Sequence, residues 1–214
     1  TRINVKIKAG QETELNGAGP DIPESAMQAL EEKLDRLQKG DILILAGSIP
    51  ASLAQTTYER ILARLEGRDI RAVVDATRDL LVNVLRYKPF LIKPNNHELS
   101  EIAGVKLTND NEIVTAARMM QAKGARNVLV SMAGDGALLL DEQGGVHRIG
   151  CPKGKVVNSV GAGDSMVAGF VAGYQQSGGD YAAALKLGTA CGSATAFSLG
   201  LATKEKIAEL MQEI

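Results

Sequence analysis

Four apolar runs of strand length, each emptying into polar residues and each set off from the next by an amphipathic stretch, constrain this chain of 214 residues more than anything else in it. The runs are Asp41–Leu45, Ile70–Val74, Phe90–Ile92 and Val128–Val130. A continuous apolar run of that length is the pattern of a strand covered on both faces. Strands that alternate with helices imply a mostly parallel sheet with right-handed crossovers. The first intervening helix starts behind Pro23, carries Met27, Leu30, Leu34 and Leu37 on one stripe, and ends at Lys39-Gly40. Further helices are expected over 52–66, over 78–86, from Asn95 to a stop at Gly104, and over 110–123 before Gly124.

The flanks differ in period. Residues 1–20 alternate, with Ile3, Val5 and Ile7 on one face before a turn at Gly10, which predicts a hairpin. A second hairpin is expected over 137–149 around Gln143-Gly144-Gly145. The remainder reads as helices over 163–176, 181–198 and 204–213, rich enough in Ala and Gly to pack closely.

A parallel sheet collects polar residues at the carboxyl ends of its strands, where open α/β sheets hold ligands. Ser48, Asp75, Lys93, Asn95, Glu98 and Ser131 all fall there. The stretch Asn158-Ser159-Val160-Gly161-Ala162-Gly163-Asp164-Ser165 adds a glycine-rich turn at a helix start, with Met166, Val167, Phe170, Val171 and Tyr174 at helical spacing behind it. N–H groups in a first turn lack intrahelical partners and attract anions. Gly163 is followed by Asp164 where a Walker loop needs lysine, and position 166 is Met where a Rossmann fingerprint needs glycine. Asp164 is then either a complement to the helix dipole or a general base beside a phosphoryl group.

Lys93-Pro94-Asn95-x-x-Glu98 brings together a cation, an amide and a carboxylate, the residue types that phosphate oxygens and a hydrated Mg²⁺ require. The same residues also read as a turn capping the next helix, with Glu98 at its third position. Ser131-Met132-Ala133-Gly134-Asp135-Gly136 reads as a turn or as a second glycine loop facing a nucleotide. His97 is expected on the surface and His147 in the second hairpin.

The formal charge of −1, without a basic run, leaves no electrostatic footprint for nucleic acid or an anionic membrane and favours small-molecule partners. Cys151 and Cys191 lack metal-ligand spacing and predict reduced thiols in a cytosolic setting. No apolar run approaches the length of a membrane span.

In order and spacing, Gly47-Ser48-Ile49-Pro50, Lys93-Pro94-Asn95-x-x-Glu98, Ser131 to Gly136 and Val160-Gly161-Ala162-Gly163-Asp164-Ser165 resemble the motifs of the ribokinase-like carbohydrate kinases. The resemblance implies a three-layer α/β sandwich. Residues 1–20 would be strands of a partial β lid and the entry to the core, and 21–214 one core domain. It further implies a cytoplasmic kinase using ATP and Mg²⁺ on a ketose phosphate. Fructose 1-phosphate is the first choice and tagatose 6-phosphate the alternative. Asp164 would be the base, and Gly161, Ala162 and Gly163 the anion hole. Lys93, Asn95, Val160 and the six residues from Ser131 to Gly136 would hold ATP, Glu98 would serve the metal, and Arg2 and Ser48 the sugar phosphate. Some members use a monovalent cation near this loop, and their lids often pair two subunits. The family's opening strand, with an aspartate for the sugar hydroxyls, has no counterpart in the sequence, so a non-catalytic nucleotide-binding fragment is the competing reading.

Overall fold

The computed structural model describes residues 3–9 and 11–214. Strands β1 (Asn4–Ala9) and β2 (Gln11–Asn16) form the expected hairpin, antiparallel with Val5 opposite Leu15 and Ile7 opposite Thr13. Thr1, Arg2 and the turn at Gly10 lie outside the described residues. The hairpin is a two-stranded sheet of its own, with Ile3, Val5, Ile7 and Leu15 exposed.

A six-stranded sheet follows in sequential order: β3 (Ile42–Ala46), β4 (Arg71–Asp75), β5 (Leu91–Ile92), β6 (Asn127–Ser131), β7 (Ala137–Leu140) and β8 (Val146–Ile149). The first four run parallel; β7 and β8 are the predicted antiparallel pair. Because neighbouring residues of a strand point to opposite faces, Val74, Ile92, Val128 and Val130 enter one core while Val73, Leu91 and Leu129 enter another. On the first face lie α1 (Glu24–Leu34), α2 (Thr57–Arg64), α3 (Arg78–Val84), α4 (Asn96–Ala103) and α5 (Asp110–Ala122), through Leu34, Ile61, Leu81, Leu99 and Met120. On the second lie α6 (Ala162–Gln176) and α7 (Tyr181–Ala196), through Met166, Val167, Phe170 and Leu185, with α8 (Lys204–Leu210) packed on α7.

Three expectations are corrected. Helix α1 stops at Leu34 rather than at Lys39-Gly40, because the Arg68 guanidinium takes the carbonyl oxygens of Asp35 (2.6 Å) and Leu37 (2.5 Å), ending the ladder early. Helix α2 begins at Thr57 rather than at 52. The run 41–45 is not covered on both faces: β3 pairs with β4 alone and leaves Ile44 42% exposed.

Helices α6 and α7 approach closely, as their small residues predict. A Cβ on Gly188 would lie 2.9 Å from the Met166 carbonyl oxygen, one on Gly173 2.9 Å from the Ala184 Cα, and one on Gly169 2.7 Å from the Cys191 Sγ. Both cysteines are free thiols, and burial pushes that of Cys191 up in pKa.

Candidate active site

The carboxyl ends of β3 to β6 are stitched into one edge by backbone hydrogen bonds. Gly47 N–H donates to the Asp75 carbonyl (3.0 Å), Lys93 N–H to that of Val74 (3.2 Å) and Ser131 N–H to that of Pro94 (3.2 Å), and Asn95 bridges to Ser131. Ser48 is exposed immediately beyond this edge. The Tyr58 hydroxyl donates to the carbonyls of Ala46 (2.9 Å) and Gly47 (3.2 Å), fixing the exit of β3; burial and then the charge of Asp75 push its pKa up.

Helix α4 starts with a complete capping box. Glu98 N–H donates to Asn95 Oδ1 and Asn95 N–H donates to Glu98 Oε2, both at 2.8 Å. The capping reading of this segment is therefore correct. Each side chain still has one end to spare, Nδ2 of Asn95 and Oε1 of Glu98. One open carboxylate oxygen suits Mg²⁺, which keeps most of its water and takes one or two carboxylates beside substrate phosphates. Among the described residues no cluster of three metal-ligating side chains exists, so Glu98 would hold the ion together with a nucleotide and not alone.

At the start of α6, Gly161 has φ +79, the left-handed turn that a residue without Cβ adopts freely. Ala162 N–H is already given to the Ser159 carbonyl (3.2 Å), whereas among the described residues no acceptor takes those of Gly163 and Asp164. An anion hole here, expected at Gly161, Ala162 and Gly163, would therefore draw on the N–H groups of Gly163 and Asp164, with Gly161 shaping the turn. Asp164, at the third helical position, is exposed.

Lys93 is only 6% exposed. Its ammonium sits 3.1 Å from Asp75 Oδ2 and would sit 3.1 Å from a Cβ built on Gly163. A buried cation thus lies against the first turn of α6, backed by a carboxylate. Burial pushes the Asp75 carboxyl above its usual range; Lys93 opposes this, and the charge of Asp164 adds to it.

In the turn from Ser131 to Gly136, the N–H groups of Met132, Asp135 and Gly136 are consumed by the carbonyls of Gly136, Met132 and Ala133. The Met132 side chain enters the core, and Gly136 (φ +89) has no room for a Cβ against the Ile149 carbonyl. Ala133, Gly134 and Asp135 alone face outward, so of the six proposed nucleotide contacts Met132 and Gly136 shape the loop. Val160 is exposed beside the hole, its N–H on Asn158 Oδ1 (3.2 Å). Asn158 Nδ2 donates to the Leu199 carbonyl (3.2 Å), and Thr195 Oγ1 donates to Ser165 Oγ (2.9 Å) while accepting from Ala202 N–H (3.2 Å). These bonds tie the loops on both sides of the hole to each other. A monovalent cation has no ligand set assignable among them.

His97 is exposed and His147 lies on β8, where its Nε2 is 2.8 Å from Asp141 Oδ2, both as expected. A groove of about 250 Å³ between α4 and α5, lined by Val105, Leu107, Ala116 and Met119, offers no rival chemistry. Its one carboxylate, Glu112, is spent on Thr108 (2.6 and 2.9 Å). Asp75 and Thr195 were not singled out as functional from sequence. Asp75 showed only as one of six polar residues at strand ends, and Thr195 left no signal.

The profile of the pfkB family carbohydrate kinases matches residues 1–208. The chain belongs to that family. A 1-phosphofructokinase of Bacillus subtilis is 48% identical over the whole chain, which spans 70% of that protein. A D-tagatose-1-phosphate kinase of Bacillus licheniformis is 34% identical, again over the whole chain and 70% of the relative. Among solved structures, a mutant of the phosphofructokinase-2 of Escherichia coli superposes with a TM-score of 0.88 at 26% identity, over 98% of this chain and 69% of that one. The pfkB-family sandwich is thus the ribokinase-like fold that the motifs implied. No helix among the described residues is long and apolar enough to cross a membrane.

Proposed function

We propose that this pfkB-family kinase transfers the γ-phosphoryl group of ATP to a hydroxyl of a ketose phosphate, fructose 1-phosphate in the first place, giving fructose 1,6-bisphosphate and ADP. The observation that carries this reading is the opening turn of α6, where bare N–H groups of Gly163 and Asp164, an open carboxylate and a buried ammonium meet. The Asp164 carboxylate takes the proton of the attacking hydroxyl. The two N–H groups face the oxygens on which charge develops as the phosphoryl group moves, and Lys93 adds positive charge from beneath. Asn95 Nδ2 and the outward part of 133–135 orient ATP. Glu98 Oε1 would hold Mg²⁺, which when bound offsets the charge of the β- and γ-phosphates.

The acceptor rests on the relatives. The names of the Bacillus subtilis and Bacillus licheniformis proteins both place the phosphate on C1 of a ketohexose, which favours D-tagatose 1-phosphate as the second reading. Ser48, at the strand-end edge, and Arg2 are proposed for the sugar phosphate. Pairing of two molecules through the exposed apolar face of the hairpin is proposed as well, and sedimentation checks it.

The experiment compares kcat/KM for fructose 1-phosphate, D-tagatose 1-phosphate, tagatose 6-phosphate, fructose 6-phosphate and free fructose. Fructose 1-phosphate is expected to lead, and Arg2→Ala to raise its KM while sparing that for ATP. Preference for free fructose overturns the acceptor; nucleotide binding without any turnover overturns catalysis.

A further inference from the structure

The Lys93 ammonium lies against the first turn of α6, and what fixes it there is not part of the phosphate-binding segment. The lysine immediately follows β5, and its side chain is 7% exposed. A buried ammonium needs a counter-charge, because removing it from water without one costs more than a fold of this size tolerates. Among the described residues the one carboxylate within ion-pair distance is Asp75 at the end of β4, at 3.1 Å and itself 18% exposed. Parallel pairing sets the pair up: Val74 lies beside Ile92 in register, so Asp75 and Lys93 leave neighbouring strands side by side. The carboxylate lies on one flank of the ammonium and the Cα of Gly163 on another, since a Cβ there would be 3.1 Å from Nζ and 4.0 Å from Asp75 Oδ2.

We infer that Asp75 is a positioning residue for phosphoryl transfer, holding the Lys93 ammonium against Gly163 before any nucleotide arrives. This rests on the reading of the α6 turn as the phosphoryl site. With Asp75 in place the cation is set at the mouth of the anion hole and need not be drawn out of solvent at the moment of reaction, which is what makes fixed charges effective. Asp75 itself touches no reactant. Its effect passes entirely through Lys93, and that separates it from a carboxylate acting on metal or sugar.

The test is a double-mutant cycle in the full chain, with kcat and both KM values measured well below the melting temperature of every variant. Asp75→Asn is expected to lower kcat roughly ten- to a hundred-fold, the scale on which losing the partner behind a ligating group is felt, with the acceptor KM unchanged. Lys93→Met and the Lys93→Met/Asp75→Asn double variant should then be equally slow, because with the ammonium gone nothing remains for Asp75 to hold. That comparison stands even where the single Asp75 variant folds poorly, since the double variant buries no unpaired cation. Multiplying losses, or a wild-type kcat in Asp75→Asn, overturns the inference; so does a kcat per folded molecule that stays constant while only the melting temperature falls. A readout without turnover separates this from failure of the kinase reading: acetic anhydride labelling of Lys93, followed by peptide mass mapping, should be slow in the wild type and fast in Asp75→Asn. Equal labelling rates refute the hold whatever the substrate proves to be.

Discussion

Gly163→Ala separates two properties of one position that a single measurement would merge. Gly163 is not among the left-handed glycines, so alanine fits its backbone without strain. In a helix, alanine for glycine is worth up to about 1 kcal/mol, and half of that is a fair expectation in the first turn. The new methyl group would stand 3.6 Å from Lys93 Cε, an ordinary contact, but 3.1 Å from its Nζ, tighter than ordinary van der Waals contact, and the ammonium must retreat by a few tenths of an ångström. The retreat is toward Asp75, already at 3.1 Å, or away from the turn altogether. The methyl also narrows the approach to the two bare N–H groups. Displacements of about 1 Å in a positioned group cost on the order of a hundredfold in rate, so a fall of roughly ten- to a hundredfold in kcat is expected from a shift of half that size. The variant should therefore melt slightly higher and turn over far more slowly. Differential scanning fluorimetry beside a coupled ADP-release assay reads both. Unchanged kcat would mean that neither the ammonium nor the N–H pair meets the phosphoryl group; a lower melting temperature would mean that the position is strained after all.

Asp164→Asn should keep fold and ATP affinity while losing on the order of 10² to 10⁴ in kcat; near-wild-type turnover, read by the same assay, would return Asp164 to the role of dipole complement. Gly124→Ala should destabilise by about 2–3 kcal/mol, measured by urea unfolding, because φ is +129 and a Cβ would run into the Leu85 carbonyl oxygen. Burial pushes the Asp141 carboxyl up, but His147 and the N–H groups of Gly145 and Gln143 outweigh it and hold the group below the usual range. A lowered carboxyl stabilises the fold above its unfolded pKa, and that contribution is lost as pH falls below about 4. Asp141→Asn should therefore flatten the loss of stability on acidification, as seen in urea midpoints measured from neutral to acid pH.

Order and type of the elements were legible because periodicity reports which faces are buried. Alternation over 1–20 marked the first hairpin and the Gln143-Gly144-Gly145 turn the second, whose strand β7 is itself a continuous apolar run, and the small residues of 163–198 announced close packing. Position within the sheet was less legible. The apolar run 41–45 revealed neither its neighbours nor its faces: β3 has only β4, and Ile44 is left exposed. Helix ends failed where a distant residue set them: Arg68, more than thirty residues from the carbonyls it takes, stops α1. At the candidate site the glycine turn, Lys93, Asn95 and Glu98 could be found because they form contiguous motifs. Asp75 could not, since its meaning comes from a neighbour on another strand, eighteen residues on. Nor could the consumption of N–H groups inside 131–136, which depends on the turn's own hydrogen bonds.

The glycine contacts between α6 and α7 bear on how a saturation-mutagenesis map of this chain would have to be interpreted. Gly188 lies on a different helix from Asp164 and meets no reactant, yet any side chain there presses on the carbonyl of Met166, two residues beyond the proposed base, and on Phe170. Such variants would score as inactive while still yielding soluble protein, and a screen that equates inactivity with contact to reactants would enlarge the site by a column of positions running down α7. Sorting those positions from the proposed site needs a readout besides activity: a change at Gly188 should lower the melting temperature, because the backbone of α6 must give way, whereas one at Asp164, which is exposed, should not.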